Sequence, residues 1–308
     1  MKLRIGSRGS ALALWQAEHV KSLLTALDSS VQVDITVIHT TGDKITDVAL
    51  SKIGDKGLFT KELDRAINEA QVDLAVHSLK DVPTALADGL ELSAVLERVD
   101  PRDALVVAPG RPKSLRALPA GARIGTSSLR RRAQLLALRG DLVIEDLRGN
   151  LDTRLKRVAD GRYDAALLAA AGLNRLGFAD RVAQLLDPPE WLPAVGQGAL
   201  GITTRADDRR TSDFVRQLEH SATRACTTAE RSLLAVLEGG CQIPIGALGV
   251  MRGQLTLHAL VASIDGREVV RGSRAGSPAD AEDIGAALAA DLLARGAQPI
   301  LQALRPHT

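Results

Sequence analysis

Three groups of residues in this chain have the types and spacing to do chemistry. The first is a thiol. Cys241 stands in Glu238-Gly239-Gly240-Cys241-Gln242-Ile243-Pro244, where two glycines end a helical pattern and can turn a side chain outward. A loop thiol is a candidate nucleophile or attachment point. The competing reading is a small buried hydrophobe, because thiol reactivity depends on surroundings. Cys226 falls within a helical pattern and reads as that hydrophobe. The second group is Lys80-Asp81, placed just after a strand pattern. A carboxylate there could move protons or stabilise a cation, or could simply form the turn before Val82-Pro83. The third group is arginine at strand-to-helix junctions. Arg130-Arg131-Arg132 opens a helix after Thr126-Ser127-Ser128, Arg148 and Arg154 flank another helix start, and Arg8 precedes a third. Cations at a helix N-terminus oppose its dipole, and an anion would remove the conflict. Three such junctions favour an anion-binding cleft over a solvated arginine face.

The elements that must position these residues alternate strand and helix. Leu3 to Ser7 is a short strand pattern leading through Arg8-Gly9-Ser10 into a helix, with Ser10 as N-cap. Val31 to His39 alternates as a half-buried strand, and Thr40 to Gly57 reads as a mobile loop. Val72 to Val76 is a strand running into His77-Ser78-Leu79-Lys80-Asp81. A second unit near residue 97 repeats the alternation, which argues for parallel βαβ units. Arg4-Ile5-Gly6-Ser7 and Arg123-Ile124-Gly125-Thr126 open the two units alike. The last third differs: a helix over Thr223 to Glu238, two alternating segments joined by Asp265-Gly266, and a helix from Ser277-Pro278 with Asp280 in the capping-box position. Gly196-Gln197-Gly198-Ala199-Leu200-Gly201 matches a dinucleotide fingerprint in letters alone. It lacks a preceding strand and a following helix, and reads as a chain return between domains.

Composition removes several function classes. At roughly 150 residues per domain, 308 residues make two domains or three small ones. Two cysteines exclude a disulfide scaffold, and no CxxC or HExxH spacing suggests a metal. No apolar run reaches membrane-spanning length, and the start of the chain lacks a signal-peptide pattern, so a cytoplasmic protein is expected. Six aromatics and a net charge of +2 speak against nucleic acid. Between Arg98 and Arg162, 15 basic residues face 7 acidic ones, a local +8, while the remainder is −6. Arginine supplies most of that charge, as planar recognition of carboxylate or phosphate requires.

Read together, these segments resemble the porphobilinogen deaminase (hydroxymethylbilane synthase) family. The resemblance rests on Ile5-Gly6-Ser7-Arg8 with Leu12 to Gln16, Lys56-Gly57-Leu58-Phe59, Ala75 to Pro83, Asp100 to Ala104, Gly125 to Arg131, Leu147 to Asn150, Leu192 to Ala199 and Gly239 to Pro244. They run in order over nearly the whole chain. It implies an α/β fold of two periplasmic-binding-protein-like lobes with mixed, mainly parallel sheets, and a small C-terminal α+β domain. The divisions expected are 1–96 with 196–216, 97–195, and 217–308.

The resemblance further implies a transferase of tetrapyrrole and haem biosynthesis. Four porphobilinogens are added head to tail to a dipyrromethane cofactor held as a thioether on Cys241. Each addition releases ammonia, and hydrolysis then releases hydroxymethylbilane. Asp81 falls on the catalytic carboxylate. Arg8, Ser10, Lys80, Thr126, Ser128, Arg130, Arg131, Arg148, Arg154 and Arg175 fall on cofactor- and substrate-binding positions, and Lys52, Lys56 and Phe59 on a lid loop. A six-ring intermediate holds about twelve carboxylates, for which arginine is the bidentate partner. Implied partners are porphobilinogen and, for handover of product, uroporphyrinogen-III synthase; no nucleic acid, membrane or metal is expected, and a monomer is. Thr41 stands where some members carry arginine, and Arg132 also varies. A non-catalytic anion-binding protein would share the two lobes, but not the Gly-Gly-Cys loop.

Overall fold

A computed structural model describes residues 1–40, 60–237 and 243–304. Among these, one compact unit holds 1–40, 60–99 and 198–224, and the other holds 100–197 and 225–304.

The first unit is built on β1 (Lys2–Ser7), β2 (Gln32–Val37), β3 (Leu74–Ser78), β4 (Leu90–Val95) and β10 (Leu200–Arg205), with helices α1 (Ala11–Leu27), α2 (Lys61–Asn68) and α6 (Arg209–Val215). The strand order is β2-β1-β3-β10-β4. β1 is parallel to β2 and β3, and β10 is antiparallel to both of its neighbours. Strand periodicity explains how the sheet is covered. Leu74 and Val76 of β3 join Val20 and Leu24 of α1 on one face, while Ala75 joins Leu63 and Ile67 of α2 on the other. Burial on both faces is what parallel strands require. The Ser10 hydroxyl starts α1 by accepting from the Ala13 N–H at 3.3 Å. A cap of this kind contributes about 1 kcal/mol.

The second unit begins with β5 (Asp103–Val107), β6 (Arg123–Gly125), β7 (Val143–Glu145), β8 (Ala165–Ala169) and β9 (Gln184–Leu186), with α3 (Leu129–Leu138), α4 (Leu151–Ala159) and α5 (Ala170–Arg175). Its order, β7-β6-β8-β5-β9, carries the same pattern of parallel and antiparallel pairs. β6 thus occupies the place of β1, and β5 the place of β10. The two Arg-Ile-Gly openings lie at equivalent positions in sheets of one topology. In each sheet four strands run one way and one runs against them, so the expected mixed, mainly parallel sheets are present.

From Ala225 onward the same unit also contains the rest of α7 (Ser221–Val236), the antiparallel strands β11 (Ile245–Arg252), β12 (Gln254–Ala262) and β13 (Val269–Gly276), and α8 (Ala281–Leu292). The Asp265-Gly266 turn joins β12 and β13, with Gly266 at φ 72°. Leu248, Leu260 and Ala262 on one face of this sheet meet Ala133 of α3 and Leu192, while the other face packs on Cys226, Ala229 and Leu233 of α7. The expected capping box does not form. Ser277 instead accepts from the Ala279 N–H of a short 3-10 turn that precedes α8, and Asp280 makes no side-chain cap. In the segment that resembles a dinucleotide fingerprint, Gly196 and Gly198 adopt φ 71° and 92°, and a strand follows in place of a helix. Among the described residues no helix is long and apolar enough to cross a membrane.

α7 approaches β11 so closely that a Cβ on Gly249 would lie 2.9 Å from the Cα, Cβ and carbonyl oxygen of Cys226. Backbone cannot yield as a side-chain end can. Gly249→Ala is expected to destabilise the protein by about 2–3 kcal/mol, the cost of overpacking a dense core. Chemical denaturation measures it, and an unchanged midpoint would contradict the close approach.

Candidate active site

The junction after β1 and the turn after β3 build one pocket. β3 ends at Ser78 and passes into the 3-10 turn Leu79–Asp81, at the carboxyl end of a strand parallel to β1. Arg8, Ser10, Gln16, His77, Ser78 and Asp81 line a pocket of about 60 Å³ there. Gln16, buried on α1, donates from Nε2 to the Ser78 hydroxyl at 2.8 Å and ties helix to strand end. Lys80 sits on the same 3-10 turn as Asp81. The sequence expectations for Arg8, Ser10 and Asp81 thus fall on one concavity. Gln16, His77 and Ser78 also line it, and their sequence motifs alone give them no role.

His77 is buried beneath that pocket, with Nε2 3.0 Å from the Thr203 hydroxyl of β10. Burial, reinforced by the positive charge of Arg8, pushes its imidazole down to about 4. It is therefore neutral at pH 7 and adds no second cation beside Arg8.

In the second unit the carboxyl ends of parallel β6, β7 and β8 carry the expected binding residues. Thr126 follows β6, and its hydroxyl accepts from the Ser128 N–H at 3.2 Å; Ser128 caps α3 by accepting from the Arg131 N–H at 3.4 Å. Gly149 follows β7 at φ 103°, Arg154 Nε donates to its carbonyl at 2.7 Å, and Arg157 Nη1 donates to the Arg148 carbonyl at 3.0 Å. Arg148 Nη1 is buried without a hydrogen-bond partner among the described residues. Arg175 ends α5, where burial pushes its guanidinium down to about 10.

Arg130 and Arg131 differ from the sequence reading in one respect. An external anion was expected to relieve their placement at a helix start. Within the fold, part of that relief comes from Asp103, the first residue of β5. Arg130 Nη1 and Arg131 Nη2 each donate to its carboxylate at 2.7 Å, and Trp191 Nε1 and Gln197 Nε2 donate at 2.8 and 2.9 Å. Asp103 is fully buried, and the side chains of Arg130 and Arg131 are 5% and 8% exposed. Burial alone would raise the carboxyl pKa; the two guanidiniums outweigh it and hold the group well below the usual carboxylate range. Burial in turn pushes the Arg130 guanidinium down against the pull of Asp103. Two cations share one anion, so the cluster keeps a single positive charge. A charged residue opening an apolar strand, Asp103-Ala104-Leu105-Val106-Val107, was the available sequence signal for this arrangement. Cys241, Lys52, Lys56 and Phe59 lie outside the described residues. Among the described residues no cluster of side chains could hold a metal ion.

Comparison with known families decides the identity. Residues 3–213 match the model for "Porphobilinogen deaminase, dipyromethane cofactor binding domain", and residues 224–294 that for "Porphobilinogen deaminase, C-terminal domain". The chain belongs to the porphobilinogen deaminase family. The porphobilinogen deaminase of Syntrophobacter fumaroxidans is 51% identical over 301 residues, covering 97% of each chain. That of Chromobacterium violaceum is 52% identical over 305 residues, covering 98% of each. Among solved structures, the methionine-binding protein MetQ is similar at 14% identity and a TM-score of 0.45, covering 70% of this chain and 89% of its own. The deaminase family is a transferase family, the hydroxymethylbilane synthases, and its cofactor is dipyrromethane. The residues present suit that group: its rings bear carboxylates, and among the described residues the second unit offers an unpartnered buried Nη1 on Arg148 and an arginine pair with one charge uncompensated.

The neutral His77 gives a pH dependence of stability. Its folded pKa of about 4 lies below the ordinary 6.5, so from pH 6.5 downward the unfolded chain takes up a proton that the folded chain does not. Its contribution is complete above pH 6.5 and falls away towards pH 4, by roughly 3 kcal/mol in all. Denaturant unfolding at several pH values should show a smaller acid loss for His77→Gln than for the native chain. Equal losses would show that His77 is not held neutral.

Proposed function

We propose that Asp81 is the carboxylate that serves each condensation and that Cys241 holds the dipyrromethane by a thioether. The observation that carries the reading is the meeting of Arg8, Ser10 and Asp81 in one pocket at the ends of β1 and β3. Porphobilinogen brings an acetate and a propionate, and losing ammonia leaves it a cationic azafulvenium. Asp81 lowers the energy of that cation and accepts the proton released when the ring regains aromaticity. Arg8 and Ser10 bind and orient a carboxylate of the substrate beside it, and Lys80 adds a cation on the same turn. Thr126, Ser128, Arg130, Arg131, Arg148, Arg154 and Arg175 receive the carboxylates of the cofactor and of the growing chain. When bound, dipyrromethane supplies the nucleophilic pyrrole carbon that begins the chain.

Family membership also supports the three-domain division at 96/97, 195/196 and 216/217 and a cytoplasmic, monomeric enzyme. Hydroxymethylbilane is a reactive linear product, which favours its transfer to a ring-closing uroporphyrinogen-III synthase.

Two experiments test this reading. Asp81→Asn keeps the shape of the side chain and removes its charge. Turnover is expected to fall by about 10²–10⁴-fold, as for loss of an acid/base group, while porphobilinogen still binds; near-native turnover would remove Asp81 from the role. Intact mass of the native protein is expected to show a two-pyrrole adduct that maps to Cys241 and is absent from Cys241→Ser. A stably loaded Cys241→Ser protein would place the attachment elsewhere.

A further inference from the structure

We infer that Asp103 is the positioning residue of the paired-arginine site: it fixes the planes of Arg130 and Arg131 and reduces the charge they offer to that of one cation. The inference rests on the reading that these arginines receive ligand carboxylates.

The first support is geometric. Asp103 Oδ1 accepts from Arg131 Nε at 3.1 Å and Nη2 at 2.7 Å, a two-pronged grip that sets the guanidinium plane. Oδ2 accepts from Arg130 Nη1 at 2.7 Å, and Oδ1 from Arg130 Nη2 at 3.4 Å. The Leu167 and Leu192 carbonyls fix the outer edges, accepting from Arg131 Nη1 at 3.0 Å and Arg130 Nη1 at 2.8 Å. A guanidinium has five N–H donors. Among the described residues these bonds use three on each arginine and leave two on each, held in a fixed orientation.

The second support is energetic. A buried ion cluster is poor value for stability, because well-packed apolar residues of similar volume do as well or better. An interior that retains two arginines and one aspartate therefore needs another reason for them. The third is position. Asp103 pairs with Ala169 at the carboxyl end of β8, the end of the sheet at which Thr126 and Arg148 follow β6 and β7. Ligands of open α/β sheets bind at that end. Charge then sets the ligand. With one negative charge built in, the pair is matched to one carboxylate. Without Asp103, two cations with unfixed planes would remain.

The test is steady-state kinetics of the holoenzyme carrying Asp103→Asn, at a temperature where circular dichroism shows it folded. KM for porphobilinogen is expected to rise about tenfold with kcat changed far less, the pattern of lost carboxylate binding. A purely structural Asp103 predicts native KM and kcat for every folded molecule, and that result would overturn the proposal. Arg131→Lys separates the two layers. Native KM in Arg131→Lys overturns the underlying reading of the arginines; raised KM there with native KM in Asp103→Asn overturns the role of Asp103 alone. If Asp103→Asn does not fold, ¹⁵N-arginine NMR of the native holoenzyme decides. The Arg131 Nε–H is expected to exchange slowly with solvent, and exchange at the rate of a free guanidinium would refute the inferred grip.

Discussion

A carboxylate with no access to water, facing two guanidiniums with almost none, is the constraint around which the second unit is organised. Asp103 can remain ionised there only because Arg130 and Arg131 are delivered to it by the first turn of α3 and because Trp191 and Gln197 complete its shell. That requirement reaches far along the chain. It fixes where β5 begins, how α3 leaves β6, and the course of the segment from Leu192 to Gln197. Leu192 takes part twice more: its carbonyl accepts from Arg130 and Gln134, and its side chain packs under β11 and β12. The polar cluster and the seat of the C-terminal sheet therefore share one residue.

The two units set different side chains on one topology. In each, a strand with the sequence Arg-Ile-Gly runs into a capped helix, and its parallel neighbour ends beside it. In the first unit the neighbouring strand end presents Asp81 beside a pocket with Arg8 and a neutral histidine beneath. In the second, Arg148 follows the end of β7, and Arg130 and Arg131 pair with the buried Asp103.

Much of this was legible in the sequence. Strand and helix alternation, the paired openings, the hairpin at Asp265-Gly266 and the rejection of the glycine-rich segment as a dinucleotide site follow from period and turn chemistry alone. Arg8, Ser10 and Asp81 were singled out and meet in space. What sequence reasoning lacked were pairings between distant segments. Nothing local tells that Asp103 faces Arg130 and Arg131, or that β10 inserts between β3 and β4, since antiparallel insertion depends on the tertiary course of the chain. Asp280 failed as a cap for a local reason: Ser277 and Pro278 start a 3-10 turn first.

The choice of arginine over lysine follows from the same geometry. Each of Arg130 and Arg131 bonds Asp103 and a backbone carbonyl and still has donors in a known direction. A lysine ammonium has three donors on a flexible stem and loses its charge more readily when buried. It could satisfy Asp103 or a ligand, but could not hold an interior carboxylate and keep a fixed fork for another. Burial already pushes Arg175 down to about 10. A lysine, starting about two units lower than arginine, would be brought close to neutrality under the same burial. A buried cluster of this kind, in a lobe built of apolar strands, therefore requires arginine.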